Sequence, residues 1–300
     1  MAAENVRESQ AEVASKPPRL ALRTYTYLRI GMTGVILTLA VSVLLEASKN
    51  GWCWQPSISA YYFTPVNAVF VGALVTLGTC MVVIWGRNWV EDGSLNLAGM
   101  LAPVVAFVPT SDTDSCGDSA RVAAAQPHMD NNVAAYGIVI LIGLALLGFA
   151  AVSPRFKDAV HQGRAEYGFW IPYLLGWALW LAFAYAFATQ TSDDQDWFYR
   201  HAHDYAAIPM FLLIVGLVIA NAYEARVRGK RTWAKRYSAL ASAMVVSALL
   251  WAATVWIMDR MDEPWDHKVL VIEAAVLFLF AWFWVLQTVE RGHEGVPRDL

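Results

Sequence analysis

Eight runs of apolar residues, each separated from the next by a polar segment, follow a polar N-terminal stretch. The runs cover residues 27–48, 66–85, 95–108, 133–152, 167–189, 198–222, 237–258 and 269–289. One helical crossing of a bilayer core about 30 Å thick needs about 20 apolar residues, and all the runs except the third reach that length. The pattern predicts an all-α, polytopic integral membrane helical bundle with about eight transmembrane helices.

The composition agrees with this class, since 57% of the residues are hydrophobic and only 16% are charged. An ordinary soluble domain has about 25% charged residues. We expect a cytosolic polar tail at 1–24, one transmembrane helical domain at 25–290 and a cytosolic C-terminal tail at 291–300. We expect membrane lipid as a partner and no nucleic acid.

The distribution of basic residues predicts the orientation. With eight crossings and both termini inside, 17 Lys and Arg residues lie on the cytoplasmic side and 5 on the other, as the positive-inside rule requires. The short third run leaves a re-entrant segment as an alternative, although residues 91–94 would lengthen it and Ser94 could cap its start. Without this crossing the basic loop at 226–236 would lie outside, so the charges favour a true span.

This topology places three polar segments at one depth on the outer side. Hydroxyls, carboxylates and imidazoles at helix ends are costly in lipid and usually face a bundle interior or a water-filled cavity. The sequence therefore predicts an outward-facing polar pocket. Its expected residues are Ser57, Ser59, Tyr61, Thr64 and Asn67 from the first segment, Thr110 and Asp112 from the second, His203 and Asp204 from the third, and Glu273 near the start of the last run.

An alternative for each of these three segments stays open. Ser57, Thr64 and Asp112 can serve only to cap helices or turns, a common task of such residues beside proline. His203 can lie at the headgroup level as an interfacial residue.

Acids and histidines are concentrated on the predicted outer side, where they could bind a metal ion. Carboxylates and neutral imidazoles are ligands of zinc, so His201, His203 and Asp112 form a candidate metal site. No H-E-x-x-H or comparable spacing fixes such a geometry, and solvated acidic loops explain the same composition. We expect no cofactor, with zinc as the alternative.

Three cysteines are too few for a disulfide scaffold. Cys53 and Cys116 fall in the first two outer loops, where an oxidising compartment would favour a bridge between them. Two unpaired thiols are the alternative. Cys80 lies deep in the second run, where packing is its expected role.

A group of uncharacterised bacterial multi-pass membrane proteins resembles this chain over about half its length, at 57–65 (SISAYYFTP), Asn67, 96–99 (NLAG) and the Pro109-Thr110 pair. The segment that begins at His203 is similar to a later helix of that group. Members often carry Arg before the Asn, where this chain has Val66, so any role of that arginine is absent here. More remotely, the chain is similar to the Frag/DRAM/Sfk membrane family. Neither resemblance implies an activity.

These features favour a non-enzymatic protein of the bacterial cytoplasmic membrane. Its outward-facing pocket would bind or transport a lipid headgroup or a small polar solute, or support the envelope. The alternative is a metal-dependent intramembrane lipid hydrolase, in which a His/Asp site on the outer face activates water.

Overall fold

A computed structural model of the chain describes residues 19–110, 116, 119–155, 157, 166–189, 195–261 and 266–292. Regular structure within these ranges is helical, so the predicted all-α class is confirmed. The helices are α1 (Arg19–Lys49), α2 (Asn67–Val83), α3 (Trp89–Phe107), α4 (Ser119–Val152), α5 (Glu166–Ala188), α6 (Gln195–Val227), α7 (Arg231–Arg260) and α8 (Lys268–Arg291), with a 3₁₀ helix at Ser59–Phe63.

Six of these helices, α1, α4, α5, α6, α7 and α8, are long and apolar enough to cross a membrane. Helix α2 is apolar but shorter, with 17 residues, and α3 has an acidic first turn. The structure therefore confirms a multi-pass helical membrane protein, and its helices are consistent with the predicted number of about eight.

Helix α3 differs most from its prediction, because it begins at Trp89 and not near residue 95. Asn88 caps it, since its side-chain oxygen accepts a hydrogen bond from the Glu91 N–H at 2.9 Å. The predicted cap at Ser94 is wrong. With 19 residues, the helix is about 28 Å long, close to the thickness of a bilayer core.

Helix α3 also lies at the centre of the described bundle. It packs against α2, α4, α5 and α6, while α1 contacts α2 and α8, and α7 contacts α6 and α8. Twelve of the residues of α3 are buried. In the apolar spans of α4 and α5, by contrast, only 11% and 6% of residues are buried, so few residues of these two helices are enclosed by the described bundle.

Two glycines allow α2 to lie directly against α3. A Cβ atom added to Gly78 would lie 2.7 Å from the carbonyl oxygen of Gly99, and one added to Gly99 would lie 2.7 Å from the carbonyl oxygen of Gly78. The backbones are thus too close for any side chain at either position. Small residues at such crossings are typical of membrane helices, where close packing drives helix association.

Apolar side chains fill the middle of the bundle, among them Ile36, Leu77, Leu101, Leu217 and Phe283. Buried polar side chains lie towards its two ends. Arg29, Glu91, Asn221 and Arg291 come from helix ends predicted to face the cytoplasm, and Ser59 and His203 come from ends predicted to face outward. This separation requires α3 to run from one end to the other.

Candidate functional site at the outward end

The segment between α1 and α2 is shaped by its own hydroxyl and amide groups. Ser57 Oγ accepts a hydrogen bond from the Ala60 N–H at 2.9 Å. Thr64 Oγ1 donates to the Tyr61 carbonyl at 2.8 Å and accepts from the Val66 N–H at 3.2 Å. Ser57 and Thr64 therefore stabilise turns, which is the role that the alternative interpretation gives them.

Two further predicted residues also support this segment. The Tyr61 hydroxyl accepts a hydrogen bond from the Gln55 N–H at 3.4 Å. Asn67 Nδ2, at the start of α2, donates to the Tyr62 carbonyl at 2.6 Å. Tyr61 is 1% exposed, so it belongs to the packed core beneath the outer surface.

Ser59 joins this segment to the end of α3. Its Oγ accepts a hydrogen bond from the Thr110 N–H at 2.8 Å. Ser59 is buried, with 2% of its surface exposed. The first and second polar segments therefore meet, as their common depth predicts.

His203 brings the third segment to the same place. Its Nδ1 lies 2.9 Å from the carbonyl oxygen of Val108, at the end of α3. Its Nε2 lies 3.8 Å from Glu273 Oε1 on α8. With 4% of its surface exposed, His203 is buried between α3, α6 and α8.

The partners of His203 restrict where its protons lie. A carbonyl oxygen can only accept a hydrogen bond, so Nδ1 carries a hydrogen. Nε2 is then the ring nitrogen that faces Glu273 Oε1 on α8, at 3.8 Å.

Glu273 ties α8 to the first segment. Its Oε2 accepts a hydrogen bond from the Ile58 N–H at 2.6 Å, and the nearby Leu270 N–H donates to the Pro56 carbonyl at 2.8 Å. The Glu273 side chain is 24% exposed, in contrast to 5% for His203. We call Ser59, Thr110, His203 and Glu273 the outer polar cluster. Glu273 is the acidic member of this cluster, and its partly exposed side chain is accessible to a ligand.

A disulfide joins the two loops that carry Ser59 and Thr110. The structure joins Cys53 to Cys116, with the two Cα atoms 6.1 Å apart. The bond ties the loop after α1 to the loop after α3. Asp112, predicted for both the pocket and the metal site, lies outside the described residues.

The described part of the candidate metal site does not come together. His201 is two residues from His203, which turns it about 200° around the helix. Its Nδ1 lies 2.8 Å from the Trp197 carbonyl, and its ring stacks on Trp197 at 5.1 Å. Asp204 is exposed. Among the residues that the structure describes, no three His, Cys, Asp or Glu side chains form a group that could hold a metal ion.

An apolar groove of about 620 Å³ runs between α1 and α8 beside the outer polar cluster. Leu37 and Ala40 of α1 line one wall, and Ala274 and Phe278 of α8 line the other. Ile58 and His267 lie at its outer end. His267 Nδ1 is buried and has no hydrogen-bond partner among the described residues.

A second groove, of about 350 Å³, lies between α3, α4, α5 and α6. Two of its polar groups are already satisfied: the Tyr136 hydroxyl donates to the Met100 carbonyl at 2.7 Å, and Trp180 Nε1 donates to the Gly137 carbonyl at 2.8 Å. The Tyr136 hydroxyl and the Trp180 indole N–H are therefore already hydrogen-bonded, and the groove offers a ligand mainly apolar contacts.

Sequence reasoning missed a second polar cluster, at the end predicted to face the cytoplasm. Arg291 pairs with Glu91 at 2.7 Å, and Gln287 Nε2 donates to Glu91 Oε1 and to Asn221 Oδ1, both at 3.1 Å. Asn221 and Gln287 interrupt apolar runs, and Glu91 begins the central helix. Polar residues inside predicted spans are the signal that could have identified them.

Comparison of the chain with protein-family models, curated proteins and solved structures finds no match.

Proposed function

We propose that this membrane protein binds a lipid of the outer leaflet, with an acyl chain in the α1–α8 groove and the headgroup beside the outer polar cluster. In this proposal the protein lies in the bacterial cytoplasmic membrane, and the cluster faces outward. The carrying observation is the position of Ile58. Its side chain lines the groove, and its backbone N–H donates to Glu273, so a single residue connects the apolar and polar parts.

The chemistry of the groove favours a lipid over a small polar solute. Its walls are apolar, and its volume of about 620 Å³ falls within the usual range of ligand pockets, about 300–1,000 Å³. Polar groups occur at its outer end, where His267 Nδ1 has no partner within the part of the chain that the structure describes and Glu273 is partly exposed. An amphipathic molecule matches this order of apolar and polar contacts along the membrane normal.

The middle of the bundle favours binding over transport. Ile36, Leu77, Leu101, Leu217 and Phe283 are buried there in one apolar cluster. A carrier of polar solutes needs polar or ionisable groups along its path. Within the described residues, the buried charged side chains lie near the ends of the bundle, so a stationary binding site fits the packing better.

Two tryptophan substitutions test this proposal. The quantity measured is the amount of phospholipid that each purified variant retains in mild detergent. Ala274→Trp would fill the groove, whereas Ala252→Trp, on an exposed position of α7, adds the same ring to another lipid-facing surface. We expect several-fold less tightly bound phospholipid with Ala274→Trp, measured by native mass spectrometry, and an unchanged amount with Ala252→Trp. Equal lipid retention in both variants would contradict the proposal.

A substitution of Glu273 tests separately whether the lipid headgroup lies beside the outer polar cluster. Glu273→Gln removes the reachable charge, and Glu46→Gln removes an acid at the same end of α1, where Glu46 accepts a hydrogen bond from Asn50 at 3.0 Å. We expect only Glu273→Gln to change which headgroup classes are retained. An unchanged lipid profile would confine the site to the groove.

A further inference from the structure

The inner end of the bundle contains a dense group of buried charges. Arg29 is 2% exposed, Glu91 1%, Arg291 3%, Glu290 8% and Arg87 9%. Together with Lys230, which lies 3.3 Å from Glu290, the group has four bases and two acids. We call these six residues the inner charged cluster. Buried charges are costly unless each is paired and hydrogen-bonded.

The Glu91 carboxylate is fully used by other groups. Its Oε1 accepts hydrogen bonds from Arg291 at 2.7 Å and from Gln287 at 3.1 Å. Its Oε2 accepts from the Arg87 backbone N–H at 2.9 Å and from Arg291 at 3.3 Å. Each oxygen thus accepts hydrogen bonds from two donors, which leaves no position for another guanidinium.

The Glu290 carboxylate is shared in the same way. Its Oε1 lies 3.3 Å from Lys230 Nζ and 3.8 Å from Arg87 Nη1. Its Oε2 accepts a hydrogen bond from the Tyr237 hydroxyl at 2.7 Å. Both acids of the inner charged cluster are therefore occupied by residues other than Arg29.

Arg29 is the member for which the described residues provide no acceptor. Its Nε is buried and has no hydrogen-bond partner among them, although Arg29 is close enough to Arg291, Glu91 and Arg87 to interact with them electrostatically. The side-chain contact that the structure gives it is with the Tyr25 ring, whose centroid lies 5.9 Å from the guanidinium carbon. A buried guanidinium whose Nε finds no acceptor among the described residues is a candidate site for an anion.

The position of Arg29 suggests where such an anion comes from. Arg29 is the eleventh residue of α1 and the third of the apolar run at 27–48, so we infer that it lies close to the cytoplasmic headgroups. Tyr25 is one turn nearer the cytoplasm on the same face of the helix, so it is the side chain that a ligand entering from the headgroup layer would displace. Basic pockets between transmembrane helices on the cytoplasmic side are known binding sites for anionic lipid headgroups, and guanidinium groups match phosphate oxygens in geometry.

We propose that Arg29 and the inner charged cluster bind a phosphate group, which is supplied either by an anionic phospholipid of the inner leaflet or by free phosphate. The site is independent of the outer groove. The phosphate accepts hydrogen bonds from the Arg29 guanidinium, for whose Nε the described residues provide no partner.

Thermal unfolding of the full chain in nanodiscs tests the proposal. Wild type, Arg29→Met and Arg23→Gln are compared in phosphatidylcholine alone, in phosphatidylcholine with phosphatidylglycerol, and in phosphatidylcholine with inorganic phosphate, with chloride matching the ionic strength. Arg29→Met keeps the length of the side chain and removes its charge. Arg23→Gln removes a charge from an exposed position of the same helix.

The proposal predicts that the order of the Tm values of wild type and Arg29→Met changes when the anion is added. In phosphatidylcholine alone, Arg29→Met should unfold at the same or a higher Tm than wild type, because the variant lacks an unpaired buried charge. With the anion present, the Tm of wild type and of Arg23→Gln should rise above that of Arg29→Met. If phosphatidylglycerol raises the wild-type Tm but inorganic phosphate does not, the ligand is the lipid. If inorganic phosphate raises the wild-type Tm, the ligand is the free anion.

Two results would overturn the proposal. One is the same rank of wild type and Arg29→Met in all three conditions, since the arginine would then act through packing or not at all. The other needs no variant: a wild-type Tm that neither phosphatidylglycerol nor phosphate raises above the chloride control.

Discussion

Arg291 lies 2.7 Å from Glu91 and thereby links the end of the last helix to the start of the central one. Both side chains are almost fully buried, with 3% and 1% exposed. Residues so far apart in the sequence meet only if α3 and α8 both place these ends on the same side of the membrane. The pair is therefore a structural signature of the topology as well as a stabilising contact.

Removing one partner of this pair should destabilise the protein strongly. Arg291→Met leaves the Glu91 carboxylate buried without its main counter-charge, which typically costs about 3–5 kcal/mol. We expect the double variant Glu91→Gln/Arg291→Met to recover part of that loss, because no unpaired charge remains. Denaturant unfolding in mild detergent measures the difference.

An exposed ion pair provides the control. Glu224, in the last turn of α6, and Arg228, which follows the helix, lie 2.6 Å apart, with 19% and 33% of their side chains exposed. Glu224→Gln should change the free energy of unfolding by only about 0.5 kcal/mol. A loss from Arg291→Met no larger than this would show that the buried pair is unimportant for stability.

The contact between α2 and α3 makes a second prediction. Gly99→Ala places a Cβ atom 2.7 Å from the Gly78 carbonyl oxygen, so the helices must separate, at a cost of about 1–3 kcal/mol. Gly72→Ala, in the same pair of helices, has no atom within 4 Å of the added Cβ and should be neutral or stabilising by up to about 1 kcal/mol. Thermal unfolding distinguishes the two, and equal effects would contradict the close crossing.

The disulfide makes a third prediction. Cys53→Ser opens a loop that spans a separation of 63 residues, and we expect a loss of about 2–4 kcal/mol. Cys80→Ser is the matched control, since Cys80 is a free cysteine. Maleimide labelling of denatured protein from intact cells should modify one cysteine without a reductant and three after reduction. Three modified cysteines without a reductant would contradict an oxidised bridge on the outer side.

The metal-dependent alternative has its own test. Because His203 is bonded to Val108 and faces Glu273, our account predicts less than stoichiometric zinc in protein purified without chelator, and no effect of His203→Ala on that content. His201→Ala is the control for the exposed imidazole. Stoichiometric zinc that is lost in His203→Ala would support the hydrolase and contradict the lipid-binding account.

Much of the architecture could be predicted from hydrophobic run length and loop charge. These two patterns reflect the bilayer itself, which requires long apolar helices and retains basic loops inside. They also indicated that Ser59, Thr110 and His203 share one depth, and the structure brings the three together with Glu273. The predicted open pocket is less evident: Ser57, Ser59 and His203 are buried, and the adjoining space is an apolar groove.

The inner charged cluster could not be predicted in the same way. Arg29 and Arg291 lie where basic residues are expected to face water or headgroups, and Glu91 lies at the margin of an apolar run. Only the packing of α1, α3, α6 and α8 buries them. Patterns along one helix do not determine which polar residues at helix ends face a neighbouring helix.

The most direct test of the lipid site is photolabelling of the full chain in membranes that contain a phospholipid with a photoreactive group on its acyl chain. Mass spectrometry then locates the labelled residues. Our account predicts labels concentrated on the groove walls, at Leu37 and Ala40 of α1 and at Ala274 and Phe278 of α8, and their loss in Ala274→Trp but not in Ala252→Trp. Labels spread evenly over the lipid-facing surfaces of α4, α5 and α7, with no enrichment at the groove, would contradict it.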